Sequence, residues 1–257
     1  MSFALTDEQT LLVEMARRFA DRAPTQAPEW TQIAELGWPA LCIPEQYDGL
    51  AMGLFDLCLI QEQLGRTLRL DPVLSNALAS DLLARAGTKE QQAHWLPAIA
   101  AGDKRLTVAL SGPRSAAALV GRHASGWTLE AARDQVWDAQ GADGIIVPTE
   151  EGLFLVEREA PGVTLTPQSR IDGRPVCRVV FRAVEVAKSG RLDGGNGALE
   201  IALDRATIAL SAEMLGGAQR AFDDTLEYLR TRVQFGKTLG SFQALQHRAA
   251  RLYGELA

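Results

Sequence analysis

The chain is poor in residues that mark several classes of protein. It has only three cysteines, Cys42, Cys58 and Cys177, an odd number at wide spacing. This pattern predicts neither a disulfide framework nor a zinc site, and it favours small buried thiols in a reducing compartment. The three histidines are also widely separated and show no metal spacing, so no metal centre is predicted.

Long apolar runs and an excess of basic charge are missing as well. No apolar run approaches the roughly 20 residues that span a bilayer. The first eight residues lack a basic region followed by an apolar one, so we expect no secretion signal and a cytoplasmic location. The net charge of −6 argues against a nucleic-acid-binding surface. What remains is an ordinary globular composition, with 47% hydrophobic and 23% charged residues.

Residues 1–102 are predicted to form an N-terminal all-helical domain. The segment Thr6-Asp-Glu-Gln9 has the pattern of a capping box and opens the first helix, and Thr88-Lys-Glu-Gln91 opens the last in the same way. Gly65 and Gly87 are expected to close two of the helices between them.

Residues 103–190 are predicted to form a central β-domain, because the apolar period there becomes that of strands. The predicted strands are 106–110, 127–131, 144–147, 153–156 and 176–186. In the last strand one face is expected to carry Cys177, Val179, Phe181 and Ala183. The short strands, separated by Gly, Pro and Asp, favour a small antiparallel sheet or barrel.

Residues 191–257 are predicted to form a C-terminal pair of antiparallel helices. A seven-residue spacing marks the apolar face of the first helix, with Ile208, Leu215, Phe222 and Leu229. The helix is expected to stop at Phe235-Gly236 and the chain to restart in a second helix with Ser241 as its N-cap. The bend between the two helices collects basic and amide side chains.

The bend also carries a family resemblance. The series Arg232-x-Gln234-Phe235-Gly236, followed by Gly240-x-Phe242-Gln243-x-x-Gln246, resembles the acyl-CoA dehydrogenase family of bacterial type. The runs Pro44-Glu-Gln-Tyr47 and Glu62-Gln-Leu-Gly-Arg66 are similar to further motifs of that family. The resemblance implies an α+β multidomain fold in the order helices, β-domain, helices. It also implies an incomplete four-helix bundle, either a fragment or a short member that borrows helices from a partner.

The resemblance implies an activity, the α,β-dehydrogenation of an acyl-CoA thioester with FAD as the hydride acceptor. A homo- or hetero-oligomer with subunits of the same type is implied too, with electron-transfer flavoprotein as a candidate acceptor. The alternative is a non-catalytic subunit or fragment that completes a partner's flavin site. A flavin oxygenase on the same scaffold is a third hypothesis.

The cofactor-binding residues carried over from the family lie mostly at the bend. Arg232 matches the arginine that meets the FAD pyrophosphate, where a guanidinium binds phosphate through two hydrogen bonds. Gln234 and Phe235 match the positions beside it, and Gln243 or Gln246 matches an amide contact from the next helix. Residue by residue, the alternative for Arg232 is a solvated cation that complements the dipole at a helix C-terminus.

The β-domain matches the family less well. Ser111 survives from a strand that lines the flavin, but the glutamate that follows it in the family is Gly112 here. The family run Trp-Ile-Thr-Asn-Ala reads Gln135-Val-Trp-Asp-Ala139 in this chain. Trp137 either stacks on the flavin or fills the sheet core, and the sequence leaves both open.

No catalytic base is assigned by the sequence. Alignment from the Arg232 motif places one of the family's two base positions at Ala206, which cannot accept a proton. Asp204 and Glu213 are the nearest carboxylates on the same helix, and both are better explained as solvated or interhelical groups. The catalytic residue is therefore unknown at this point.

Overall fold

The computed structural model describes residues 4–22, 30–110 and 118–256. Within these ranges lie seven α-helices: α1 (Asp7–Ala20), α2 (Trp30–Glu35), α3 (Leu54–Arg66), α4 (Val73–Ala86), α5 (Lys89–Ala100), α6 (Gly195–Thr231) and α7 (Gln243–Leu256). They also contain nine strands: β1 (Leu106–Val108), β2 (Leu119–His123), β3 (Gly126–Trp137), β4 (Gly144–Thr149), β5 (Gly152–Glu157), β6 (Val163–Gln168), β7 (Val176–Ala187), β8 (Val233–Gln234) and β9 (Lys237–Thr238). The α+β fold class predicted from the sequence is confirmed.

Both capping boxes predicted from the sequence are formed. The Thr6 hydroxyl accepts a hydrogen bond from the Gln9 backbone at 3.2 Å, and the Gln9 side chain returns to the Thr6 backbone. Thr88 and Gln91 repeat the arrangement at α5. The expectation that Gly65 closes a helix is wrong, because α3 continues through it to Arg66.

The central β-domain contains two sheets rather than a closed barrel. β2, β3, β7 and β6 form a four-stranded antiparallel sheet in that order. β1, β4 and β5 form the other sheet, in which β1 runs parallel to β4, so the expectation of a wholly antiparallel domain is wrong for this pair. Among the described strands neither sheet closes on itself.

The three-stranded sheet is buried on both faces, which explains its continuous apolar sequence. Ile146, Leu153 and Leu155 pack towards α4 and α5. Ile145, Val147, Phe154 and Val156 pack on the other face against the four-stranded sheet.

Two β-bulges interrupt the ladder between β3 and β7. One lies between Leu129 and Ala131, where β7 has the extra residue, and Ala183 there has a positive φ of 47°. Ala183 is exposed and Val184 is buried, so the predicted alternation is wrong beyond Phe181. The second bulge lies between Arg133 and Val136 on β3, where Gln135 has a φ of 57°.

The helix α6 ends four residues earlier than predicted. It stops at Thr231, and β8 and β9 form a small hairpin before α7 begins. Ser241 does not cap α7; its hydroxyl donates to the carbonyl of Thr238 at 2.7 Å, inside the connecting turn. The seven-residue stripe is only partly packed, since Phe222 is buried while Ile208 is 53% exposed.

By their contacts the described residues group into two compact units. One contains those within Met1–Pro24, Cys58–Arg69 and Ile208–Ala257, and the other those within Thr25–Leu57 and Leu70–Thr207. The division at residues 102 and 190 that the sequence suggested stays a prediction. Across the described helices, none is long and apolar enough to cross a membrane.

In the first unit, α3 and α6 cross at two glycines. A Cβ atom placed on Gly216 would overlap the carbonyl oxygen of Glu62, and one placed on Gly65 would overlap the carbonyl oxygen of Glu213. The crossing is fixed further by the ion pair between Arg66 and Asp223, whose N–O distance is 2.9 Å. Glycine at both positions allows the two backbones to approach this closely.

Candidate functional site

The hairpin of β8 and β9 holds the residues that the sequence put forward for cofactor binding. Val233 pairs with Thr238 and Gln234 with Lys237, and the Leu239 amide donates to the Arg232 carbonyl at 2.9 Å. The turn consists of Phe235 and Gly236, with φ values of 54° and 74°. Two consecutive left-handed residues are the signature of a type I′ turn, which strongly favours asparagine rather than phenylalanine at its first position.

Phe235 is therefore an unusual residue in an exposed place. Its side chain is 88% exposed at the tip of the hairpin, and its ring meets Phe242 edge-on at 6.1 Å between centroids. Phe242 is half-buried, and the ammonium of Lys237 lies 4.3 Å from its ring centroid. A non-glycine residue held in the left-handed region without burial points to a role in binding.

The polar candidates lie on the hairpin and at the start of α7, and their side chains are exposed. Arg232, Gln234, Gln243 and Gln246 all present solvent-accessible side chains. Gln246 donates from Nε2 to the Gly240 carbonyl at 2.8 Å, which ties α7 to the turn. Among the described residues none forms a hydrogen bond or ion pair with the Arg232 guanidinium, so it does not cap the carbonyls of α6.

This donor set suits an anionic group. A guanidinium and two or three amides offer several N–H donors beside a planar aromatic ring, and together these match a pyrophosphate joined to ring systems. The Arg232 guanidinium is exposed, and no carboxylate of the described chain pairs with it. It is therefore available to an anionic group.

The second candidate region is the end of β3, here called the β3 corner and defined as Ser75, Thr107, Trp137, Asp138 and Arg174. The Thr107 hydroxyl donates to the Trp137 carbonyl at 2.7 Å. The Asp138 amide donates to the carbonyl of Pro175 at 3.0 Å, while the Ser75 hydroxyl donates to the Asp138 carboxylate at 2.5 Å. The Arg174 guanidinium lies 4.3 Å from the Trp137 ring centroid.

Electrostatics at the β3 corner centre on Asp138. Burial raises the pKa of its carboxyl group, and the hydrogen bond from Ser75 with the charges of Arg174 and Arg105 opposes that rise. Asp71 adds a smaller repulsion that also raises the pKa. Asp138 stands where the family run quoted above has asparagine, so this chain places an ionisable group at that point.

Trp137 is half-buried, with one face covered by Arg174. Ser111 lies outside the described residues. The sequence did not identify Ser75 or Arg174, because Ser75 is 63 residues from Asp138 and no local pattern links them.

Neither candidate base, Asp204 or Glu213, lies in a setting suited to catalysis. Asp204 is exposed on α6, and Glu213 lies beside the crossing with α3. Near Ala206, Arg205 and Arg85 both bind the carboxylate of Asp81, at 3.3 and 2.7 Å. That carboxylate is therefore paired with two guanidinium groups. Within residues 4–22, 30–110 and 118–256 no group of acidic, histidine or cysteine side chains could hold a metal ion.

The described chain consists of helices, then two packed sheets, then a long helix that ends in an exposed hairpin. It is therefore an α+β protein, and its hairpin offers donors that suit a phosphate group. Comparison with known proteins then gives the family. Residues 6–103 match the model of the acyl-CoA dehydrogenase N-terminal domain, and residues 193–257 match that of the acyl-CoA dehydrogenase C-terminal domain. The chain belongs to the acyl-CoA dehydrogenase family.

Two relatives show the extent of the match. Acyl-CoA dehydrogenase FadE27 of Mycobacterium tuberculosis is 31% identical over 230 residues, which cover 87% of this chain. The chain spans only 61% of the length of that relative. A solved chain of the ChsE4-ChsE5 complex from the same organism is 28% identical, with a TM-score of 0.88 over 100% of this chain and 76% of its own.

A third similarity is to the crystal structure of an FAD-dependent dehydrogenase. It is 25% identical with a TM-score of 0.89, and the alignment covers 100% of this chain and 76% of that one. Together the three comparisons confirm the family resemblance found in the sequence.

Proposed function

We propose that this chain binds FAD and forms the cofactor-binding part of an acyl-CoA dehydrogenase-type flavoprotein. The observation that carries the proposal is the hairpin, which presents an exposed arginine and an exposed glutamine next to a phenylalanine in a left-handed turn. The reaction is α,β-dehydrogenation of an acyl-CoA thioester. FAD, when bound, supplies the hydride acceptor, and the protein binds and orients it.

Arg232 has the leading role in this proposal. Its guanidinium meets the pyrophosphate of FAD, with Gln234 and one of Gln243 or Gln246 donating from their amides. Phe235 contributes apolar contact area at the hairpin tip. In the β-domain, Trp137 contributes an aromatic surface, and Ser111 contributes a hydroxyl.

A second candidate function is a non-catalytic subunit that completes the flavin site of a partner. It is favoured by Ala206 at the aligned base position, and by Asp81, which is already held by two arginines. One relative of this chain occurs in a complex of two named subunits, ChsE4 and ChsE5. A base on a partner chain would reconcile the two candidate functions.

Association with another subunit is part of the proposal. On α6 the side chains of Ile208, Met214 and Leu215 are 53%, 69% and 42% exposed, and a surface of this kind invites protein contact. The partner classes are acyl-CoA dehydrogenase-type subunits and electron-transfer flavoprotein as the acceptor, in the cytoplasm. Light scattering that shows a monomer at high concentration would count against the subunit contact.

The decisive experiment is the visible absorbance of the purified chain after incubation with FAD and desalting. Arg232→Ala should weaken retention about 10- to 100-fold, since a hydrogen bond to a charged group contributes roughly 1.5–3 kcal/mol. Arg232→Lys should recover part of the loss, because lysine keeps the charge but not the forked geometry.

The matched control is Arg220→Ala, which removes an exposed arginine of α6 paired with Asp224 at 2.8 Å. It should leave flavin retention unchanged. If the folded wild-type chain retains no flavin band, the FAD-binding function is wrong for this polypeptide. Equal losses in the Arg220 and Arg232 variants would show that the hairpin is not the binding element.

A further inference from the structure

The indole of Trp137 lies on the outer side of the β3 corner. Val136 next to it is 2% exposed and points into the core between the sheets. Successive side chains of a strand alternate, so Trp137 projects from the opposite face. An indole that projects from the end of a strand has several rotamers available unless a neighbour fixes it.

Arg174 is that neighbour. Trp137 pairs with Val176, the first residue of β7, and Arg174 lies two residues before Val176 in the segment that leads into the strand. The guanidinium stacks on the indole at 4.3 Å, and the arginine is only 6% exposed. A buried stack of this kind holds both side chains more strongly than an exposed one.

The arginine is itself held in place by its surroundings. Its amide donates to the Asp172 carboxylate at 3.2 Å, and the adjacent Pro175 carbonyl accepts from the Asp138 amide. The carboxylate of Asp138 lies close enough for the two charges to attract each other. These contacts fix the backbone and the charge of Arg174 independently of its stack on Trp137.

We propose that Arg174 is a positioning residue that fixes the indole of Trp137 at the cofactor-facing end of β3. This inference rests on the proposed FAD-binding function. It assigns a part to an arginine that the sequence motifs did not single out, and it explains how a tryptophan at the position of a family threonine is kept in one orientation. Arg174 acts on the flavin through Trp137 and does not need to touch it.

The test uses the fluorescence of bound FAD, because an indole in van der Waals contact quenches flavin emission by donating an electron to the excited ring. Arg174→Gln removes the stack, and a desalted holoprotein with this change should emit more strongly per bound flavin. A desolvated cation–π contact corresponds to about a tenfold preference for the stacked rotamer, so the gain should approach that of Trp137→Phe. Arg174→Lys should fall between wild type and Arg174→Gln.

A double-mutant cycle separates positioning from general structural damage. In the Trp137→Phe background, Arg174→Gln should produce no further change in flavin emission, because its effect passes through the indole. Arg122→Gln is the matched control: Arg122 lies 5.3 Å from the ring of Trp127, on the same sheet but away from the β3 corner. That variant should leave flavin emission unchanged.

Two outcomes would overturn the role of Arg174 while leaving the proposed FAD binding intact. In the first, Arg174→Gln retains flavin with the same emission as wild type. In the second, Arg174→Gln changes the emission even in the Trp137→Phe background. If Arg174→Gln does not fold, Arg174→Lys, which keeps the charge beside Asp138, carries the same comparison. A wild-type chain without flavin would overturn the proposed cofactor function and this inference with it.

Discussion

The close crossing of α3 and α6 makes a sharp prediction for Gly216→Ala. The added methyl group would overlap the backbone carbonyl of Glu62, and no side-chain rotation can relieve a contact with backbone. The helices must separate, and overpacking of this kind costs about 1–3 kcal/mol, occasionally more. Alanine is favoured over glycine in a helix by about 1 kcal/mol, which offsets part of the cost. Because the overlap is with backbone, we take the overpacking cost at the upper end of its range and expect a net destabilisation of about 2 kcal/mol.

The assay is urea unfolding followed by far-ultraviolet circular dichroism. Gly254→Ala is the matched control, since Gly254 lies inside α7 with no heavy atom within 4 Å of an added Cβ. It should raise the free energy of unfolding by up to about 1 kcal/mol. Gly65→Ala should resemble Gly216→Ala, and the double variant should cost less than the sum, because the helices are already apart. If Gly216→Ala stabilises the protein as Gly254→Ala does, the crossing is not as close as described.

Two further predictions concern Asp138 and Phe235. A raised pKa in the folded state means that Asp138 contributes stability below its unfolded pKa of about 3.9, and this contribution is lost as the pH rises through the folded pKa. Asp138→Asn should therefore stabilise the protein at pH 7, and this stabilisation should become smaller as the pH falls towards 4. The measurement is the shift of the urea unfolding midpoint, and equal shifts at pH 7 and pH 4 would contradict the raised pKa of Asp138. Phe235→Asn should relieve about 1 kcal/mol of strain in the turn while weakening FAD retention. Hydrogen exchange of the hairpin amides and the desalting assay measure the two effects, and unchanged retention would remove Phe235 from the site.

Local features of the fold could be predicted from the sequence because their causes are local. The capping boxes at Thr6 and Thr88 involve residues three apart, and both are formed. The segments 144–147 and 153–156 are predicted as strands from their own composition, and β4 and β5 form there, covered on each face. The bulge at Ala183 could not be predicted, since alanine gives no signal of a left-handed backbone.

The candidate site divides in the same way. The hairpin residues follow from a motif contained in fifteen consecutive positions, so the sequence could name Arg232 and Gln246 together. The β3 corner depends on Ser75 and Arg174, which reach Asp138 and Trp137 only through the tertiary fold. The spacing of residues in the sequence does not indicate contacts between such distant positions. The ending of α6 at Thr231 was missed because the two-residue ladder beyond it contains no alternating apolar pattern.

The bulge on β3 gives insertions and deletions an unusual effect in this strand. Arg133 lies opposite Val179 and Val136 opposite Cys177, so one extra residue on β3 interrupts an otherwise regular pairing. Removing one residue from Asp134-Gln135 would therefore restore an uninterrupted pairing with β7 and leave Val136 and Trp137 on the faces that they now occupy. The same deletion elsewhere in the strand would reverse the parity of the side chains that follow it. In comparisons among homologues, a gap placed at this bulge keeps the following side chains equivalent, whereas a gap placed on either side of it does not.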